Sequence, residues 1–270
     1  MGSEVLIRGT GEIASAVAVY LAREGCRVAL QSSRPPIAIR RRMAFSDAYF
    51  HGAVAFEGLQ ARRLETLQDI GDVWARNEIP LLAMEFPQAV AGRSWSVLVD
   101  ARMNKQQVPE PQMGLAPLVV GMGPGCTVGG NVDVAVETSW DRLGQVVRSG
   151  STLKLAGEPR AVLGQARSRF RYAPVSGILR AEAAIGQRVK AGEVVARVGD
   201  TMVVAPFDGI VRGLTHDGVP VETGNKIAEI DPRPGEVKLS GIDERPRRIA
   251  EAVAGIVSGL IPAGQGEAEA

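Results

Sequence analysis

The 270-residue chain holds only two cysteines and two histidines, 4% of its residues are aromatic, and its formal net charge is +1. Cys26 and Cys126 cannot build a disulfide framework, which points to a reducing compartment. With 31 Lys and Arg against 30 Asp and Glu, the chain lacks the basic face a nucleic-acid binder uses to neutralise phosphates. The scarcity of aromatics argues against stacking on single-stranded bases as well. No uninterrupted apolar run reaches about 18 residues, so no membrane-spanning helix is predicted. The start, Met1 to Ala16, has no basic stretch followed by a long apolar one; no signal peptide is expected, and the chain reads as cytoplasmic. His51 precedes Gly52, and His216 stands in Thr215-His216-Asp217-Gly218, a pattern that reads as a hairpin turn. Neither histidine has metal-ligand spacing or triad partners, so no metal and no catalytic histidine is assigned.

What the chain does have is 45% hydrophobic residues interleaved with 23% charged ones, the composition of a folded protein of about one to three domains. Over residues 1–150, short apolar runs alternate with helical patterns. Val5 to Arg8 reads as a buried strand. Ile13, Val17, Ala18, Leu21 and Ala22 share one face of a helix over 11–24, which Gly25 stops, and Val28 to Leu30 reads as a second strand. Further strands are predicted at Ile79–Ala83, Val97–Val99, Leu118–Gly121 and Val132–Val136, with a helix over 66–77 carrying Leu67, Ile70 and Trp74 on one stripe. This alternation implies a parallel sheet with helices on both faces, a Rossmann-like α/β domain. Residues 43–64 give no regular pattern.

Residues 171–231 contain an internal repeat at an offset of 32. Ala173-Pro174 with Gly177 to Arg180 matches Ala205-Pro206 with Gly209 to Arg212, and Gly186, Val189, Gly192, Val195, Ala196 and Val198 match Gly218, Val221, Gly224, Ile227, Ala228 and Ile230. Short apolar runs punctuated by Gly and Pro make an all-β unit with pseudo-two-fold symmetry. The pattern resembles the biotinyl/lipoyl-type hammerhead, or barrel-sandwich hybrid. Carrier domains of that kind display a modified lysine between the half-repeats. Gly199-Asp200-Thr201-Met202-Val203-Val204 has none, so no covalent biotin or lipoate is expected. The sequence thus divides into a Rossmann-like nucleotide-binding domain (1–150), a linker (151–170) with a single helical turn in it, a hammerhead β domain (171–235), a C-terminal amphipathic helix (236–262) and a disordered tail (263–270). The helix pattern, Ile249, Val253, Ile256, Val257 and Leu260, predicts docking on a core or a partner.

Gly9-Thr10-Gly11-Glu12-Ile13-Ala14 follows a strand, opens a helix and fits G-x-G-x-x-[GA], so Gly9, Thr10, Gly11 and Ala14 are candidate phosphate-loop residues. The alternative is a turn of the same shape that binds no nucleotide. An acidic residue expected after the second strand is missing; Gln31-Ser32-Ser33-Arg34 stands there, and Arg34 suits a 2′-phosphate, which favours NADP over NAD. Arg40 and Arg41 follow shortly after and match phosphate geometry, or form a solvated face. Gly121, Gly123, Gly125, Cys126 and Thr127 make a second glycine-rich strand end, either an anion cradle or a structural loop. Cys126 is a reactive thiol or, more simply, a small buried apolar residue. Asp100 and Glu137 lie at strand ends, placed for a ribose or base edge, or for local capping.

The order of these motifs resembles the YqeB family of selenium-dependent molybdenum hydroxylase accessory proteins, related to the XdhC-type maturation factors. The resemblance rests on the G-x-G-x-x-A start, on Pro36, Arg40, Arg41 and Phe45, on Val99-Asp100-Ala101-Arg102, on 116–125 and 132–138, and on the hammerhead repeat. The chain departs from the family pattern at Gln31 or Ser32, at Cys126 and at Ser139-Trp140-Asp141. The resemblance implies a maturation role for a molybdenum hydroxylase, with a molybdopterin dinucleotide or NADP as ligand and the hydroxylase or a cofactor-biosynthesis protein as partner. Two alternatives stand beside it: an NADP-dependent oxidoreductase acting on a small metabolite, for which no Tyr-x-x-x-Lys pair is present, and a non-catalytic scaffold whose hammerhead domain and C-terminal helix hold a partner or a second copy.

Overall fold

The computed structural model describes residues 2–103, 108–154 and 159–259. The chain opens with β1 (Glu4–Arg8), α1 (Glu12–Arg23) and β2 (Arg27–Gln31). It continues through α2 (Ala48–His51), β3 (Ala53–Phe56), β4 (Leu59–Leu64), α3 (Ile70–Ala75), β5 (Ile79–Leu82), α4 (Phe86–Ala91), β6 (Val97–Asp100), β7 (Leu118–Met122), β8 (Val134–Val136) and β9 (Val146–Val147). These strands form one nine-stranded sheet in the order β3-β4-β5-β2-β1-β6-β7-β8-β9. Pairing is parallel from β4 through β8, and antiparallel at the two edges, β3 with β4 and β8 with β9.

Alternation along the strands assigns side chains to two faces. Val5 and Ile7 join a core completed by α1 and by α5 (Glu244–Ser258), whereas Leu6 joins one completed by Ile70 of α3 and Ala89 of α4. The apolar stripe of the C-terminal helix, Ile249, Val253, Ile256 and Val257, is therefore covered by this chain's own sheet and α1. Leu260 and the predicted tail (263–270) lie outside the described residues.

Several local expectations need correction. The helix expected over 66–77 spans only Ile70–Ala75: the Gln68 amide bonds the Thr66 hydroxyl, a local contact that competes with helix. Leu67 sits before the helix, in the core of that face. The strand expected from Val132 starts at Val134, because Val132 bridges Val128 and the Asp133 carboxylate accepts the Val119 amide. Residues 43–64 fold as the buried Met43-Ala44-Phe45 segment, α2 and the β3–β4 hairpin. No helical turn forms between 149 and 171 among the described residues, where Thr127 bridges Ser151 and Val162 bridges Gln165.

The remaining strands are β10 (Phe170–Tyr172), β11 (Gly177–Ala181), β12 (Arg188–Val189), β13 (Val194–Val198), β14 (Thr201–Val204), β15 (Gly209–Leu214), β16 (Pro220–Val221) and β17 (Lys226–Asp231). They make two antiparallel sheets, β10-β17-β15-β12 and β14-β13-β11-β16. The repeat maps β10, β11, β12 and β13 onto β14, β15, β16 and β17, so the two sheets have the same construction. Each short strand, β12 or β16, pairs with a strand of the other half. Leu179, Val195, Val198, Val211, Ile227 and Ile230 fill the space between them. β10 begins at Phe170, so the repeating structure starts a few residues before the motif visible in the sequence. The whole is a mixed α/β structure with one large, mainly parallel sheet and two antiparallel ones.

Candidate functional site

The carboxyl ends of β1 and β6 adjoin at the centre of the large sheet, with their crossovers leading to opposite edges. A pocket of about 190 Å³ opens there, lined by Gly9 to Ile13, by Ala101, Arg102 and Met103 after β6, and by Arg245 of α5. Gly9 adopts φ +116°, and its amide donates to the Gln31 carbonyl at 2.9 Å. A Cβ on Gly9 would lie 3.1 Å from the Ala101 carbonyl oxygen, so the two chain segments approach closely only because no side chain intervenes. A Cβ on Gly11 would meet no atom within 4 Å and would project into open space.

The first four amides of a helix have no carbonyl partner within it. Here they belong to Gly11 through Ala14; the first bond of this turn runs from the Ser15 amide to the Gly11 carbonyl, and no side chain caps the helix. Ser15 instead donates to the Thr10 carbonyl and accepts from the Phe45 amide, fixing the turn from behind, while Ala14 is fully buried against the sheet. Arg245 donates through Nε to the Thr138 carbonyl at 3.0 Å and has no carboxylate within 4 Å among the described residues. Burial lowers its pKa, opposed by the nearby Glu12 carboxylate. It is a cation with no ion-pair partner among the described residues, beside the amino end of α1. No sequence signal identified it: it stands one turn before Ile249 on the inward face of the C-terminal helix, and only the fold brings it to the pocket.

Arg102 borders the same pocket and is held by Asp100 and Glu110 at 2.6 and 2.9 Å. Asp100 also accepts from Gln112, and Arg8 bonds Glu110 and Gln112 while stacking on Phe86. Burial pushes the Asp100 carboxyl up, but Arg102, Arg8 and Gln112 outweigh it and hold the group below its ordinary range. The same opposition brings Glu110 down to about 2. This cluster braces the β6 end rather than offering a free carboxylate.

The other candidate residues separate. Ser32 bonds the Arg34 carbonyl, Ser33 is partly exposed, and Arg34 is exposed after β2. Gln31, where an acid was expected, donates to the Met84 carbonyl. Arg40 and Arg41 do not line the pocket: Arg40 pairs with Glu12 and Glu229, and Arg41 with Asp47 and the Leu214 carbonyl. In the second glycine loop, Gly123 abuts Met103, the Gly125 carbonyl accepts from Asn131, and Thr127 bonds Asn131 and Ser151. Gly121 and Cys126 pack together on the α3–α4 side, where burial pushes the Cys126 thiol up to about 12. Glu137 is buried and accepts the Leu153 amide at 2.6 Å. A wider depression of about 1110 Å³ lies at the opposite, amino-terminal edge of the sheet, but its Arg93 is paired with Glu4 and its Asp133 with a backbone amide.

No protein-family model matches the chain. It is 34% identical over 252 residues to an Escherichia coli protein described as the uncharacterized protein YqeB, covering 92% of this chain and 46% of that one. The chain therefore spans about half the length of this relative. Similar solved structures include an aspartoacylase-family protein from Mesorhizobium loti (10% identity, 85% of this chain and 84% of that one, TM-score 0.26). Another is the ectoine utilization protein EutE from Ruegeria pomeroyi (13% identity, 85% of each chain, TM-score 0.25). A third is a succinylglutamate desuccinylase/aspartoacylase from Rhodobacter sphaeroides (16% identity, 50% of this chain and 58% of that one, TM-score 0.23). Scores this low carry no argument about fold or chemistry. The comparisons overturn the expected link to XdhC-type factors and the maturation role for a molybdenum hydroxylase. The relative's description assigns it no function and names neither a molybdenum hydroxylase nor an XdhC-type factor. The comparisons support neither the oxidoreductase nor the scaffold alternative. Among the described residues, no helix is long and apolar enough to cross a membrane.

Proposed function

We propose that this chain binds a phosphate-bearing dinucleotide, NADP being the ligand class, with the pyrophosphate at the amino end of α1. The observation that carries the reading is the convergence, on one pocket, of the amino end of α1 at Gly11 to Ile13 and the guanidinium of Arg245, which forms no ion pair among the described residues. A helix amino end and a guanidinium both favour an anion. The strand order β5-β2-β1-β6-β7-β8 supports reading the sheet as Rossmann-like, in which ligands sit where the strand order reverses, between β1 and β6. The interleaved antiparallel sheets support reading 171–235 as a hammerhead unit.

In this reading Gly9 permits the tight turn, Gly11 leaves room for the phosphate and Ala14 allows α1 to pack on β1. Arg34, exposed beyond the end of β2, meets a 2′-phosphate. Glu12 borders the pocket but is neutralised by Arg40 at 2.9 Å, which limits its repulsion of an anion. The pyrophosphate is common to nicotinamide and pterin dinucleotides, and the ligand panel separates them. Calorimetric titration with NADP, NAD, a molybdopterin dinucleotide and inorganic pyrophosphate tests the reading. NADP should bind more tightly than NAD, and Arg34→Ala should erase that difference. Absence of binding to all four overturns the reading.

A further inference from the structure

The chain's two histidines are 165 residues apart in sequence, and the fold brings them together. His51 closes α2, beside the large sheet; His216 stands in the turn between β15 and β16 of the repeat unit. Their Nε2 atoms are 3.4 Å apart, whereas their ring centroids are 5.1 Å apart, so the two nitrogens point toward each other.

The His216 ring is fixed on two sides. It stacks on Phe50 at 3.9 Å with planes 8° apart, and its Nδ1 lies 2.7 Å from the Asp217 carbonyl oxygen. A carbonyl only accepts, so Nδ1 carries the proton and Nε2 of the neutral ring keeps its lone pair. Metal-bound histidines are commonly held this way, with the second ring nitrogen donating to a backbone carbonyl. Two nitrogens bound to one tetrahedral zinc at about 2.0–2.1 Å stand about 3.3–3.4 Å apart, the separation observed. For a direct hydrogen bond, 3.4 Å is long.

We propose that His51 and His216 form a two-histidine site for a divalent transition-metal ion of the Zn2+ class, joining the large sheet to the repeat unit. Among the described residues no group of three or more His, Cys, Asp or Glu converges as a metal site, so water completes the coordination on the exposed side. The Asp217 carboxylate bonds the Ala181 amide and Arg180. The site is independent of the dinucleotide reading, since neither histidine lines that pocket.

Zinc chloride titrated calorimetrically into metal-stripped full chain at pH 7.5 tests the site. One ion per chain should bind and raise the melting temperature. His51→Ala, at an exposed position, should fold normally and weaken binding at least tenfold; His216→Ala should do the same, and the double variant should lose little more than either single one. Variants that bind zinc as tightly as the parent place the metal elsewhere and overturn the proposal, as does a parent that binds none. Should His216→Ala melt early through loss of the Phe50 stack, His51→Gln decides the matter.

Discussion

Arg40 and Glu229, 189 residues apart in sequence, are joined by a 2.7 Å hydrogen bond between Nε and Oε2. The pair ties the segment after β2 to β17, and thus the large sheet to the repeat unit. Glu229 is fully buried and faces Arg169 at 3.6 Å and Arg212 at 3.5 Å as well. Arg40→Ala should destabilise the protein by about 3 kcal/mol, the low end of the range for breaking a buried pair, because two cations still face Glu229. Glu229→Ala should cost more, about 4–5 kcal/mol, because Arg40, Arg169 and Arg212 lose their shared counter-charge at once, with only Arg40 and Arg212 keeping a second carboxylate, Glu12 and Asp243. Urea melts of both variants check the order; equal or negligible losses contradict it.

The acid limb of stability should follow the carboxylates held low. Burial raises Glu229, Asp100 and Glu110, but their arginine partners outweigh it and lower all three in the folded state. Groups with depressed folded pKa values contribute stability above their unfolded pKa and lose it as pH falls through the folded one. For Glu110 the window runs from about 4.3, its unfolded value, down to about 2. Denaturant melts between pH 6 and pH 2 should show steadily falling stability, and Glu110→Gln should reduce the slope inside that window. An unchanged slope would remove Glu110 from the account.

Cys126 should behave as an inert core residue. With its thiol raised to about 12, it holds almost no thiolate at pH 8. A disulfide reagent should leave it unmodified in the native protein and label it on unfolding. Rapid native labelling of Cys126 would contradict its placement.

Parts of this architecture were legible because their cause is local. The apolar spacing of α1, the strand runs at Val5 and Val97, and the offset of 32 all report which face each residue buries. What stayed hidden depends on distant partners. The β3–β4 hairpin gave no pattern because its strands are only half-buried at an edge. Arg40 and Arg41 suggested a phosphate site, and only the fold discloses that Glu229, Glu12, Asp47 and the Leu214 carbonyl engage them. Arg245 and the histidine pair acquire meaning only when a helix or turn far along the chain folds back.

Gly9 and Gly11 should separate fold from ligand. Gly9→Ala forces a side chain into φ +116° and against the Ala101 carbonyl, and should cost about 1–3 kcal/mol of stability. Gly11 has ordinary backbone angles and free space, so a side chain there should cost about 1 kcal/mol or less.

Arg245→Ala should leave the melting temperature nearly unchanged and weaken dinucleotide binding by about 1.5–3 kcal/mol, as expected for one charged hydrogen bond. Unchanged affinity would exclude its guanidinium from the site.

The most direct measurement is calorimetric titration of NADP into Gly11→Val beside the parent, with thermal melts of both. The account predicts a folded variant, melting within a few degrees of the parent, that no longer binds, because its side chain fills the space of the phosphate. A folded Gly11→Val that binds as tightly as the parent would contradict the placement of the phosphate at the amino end of α1.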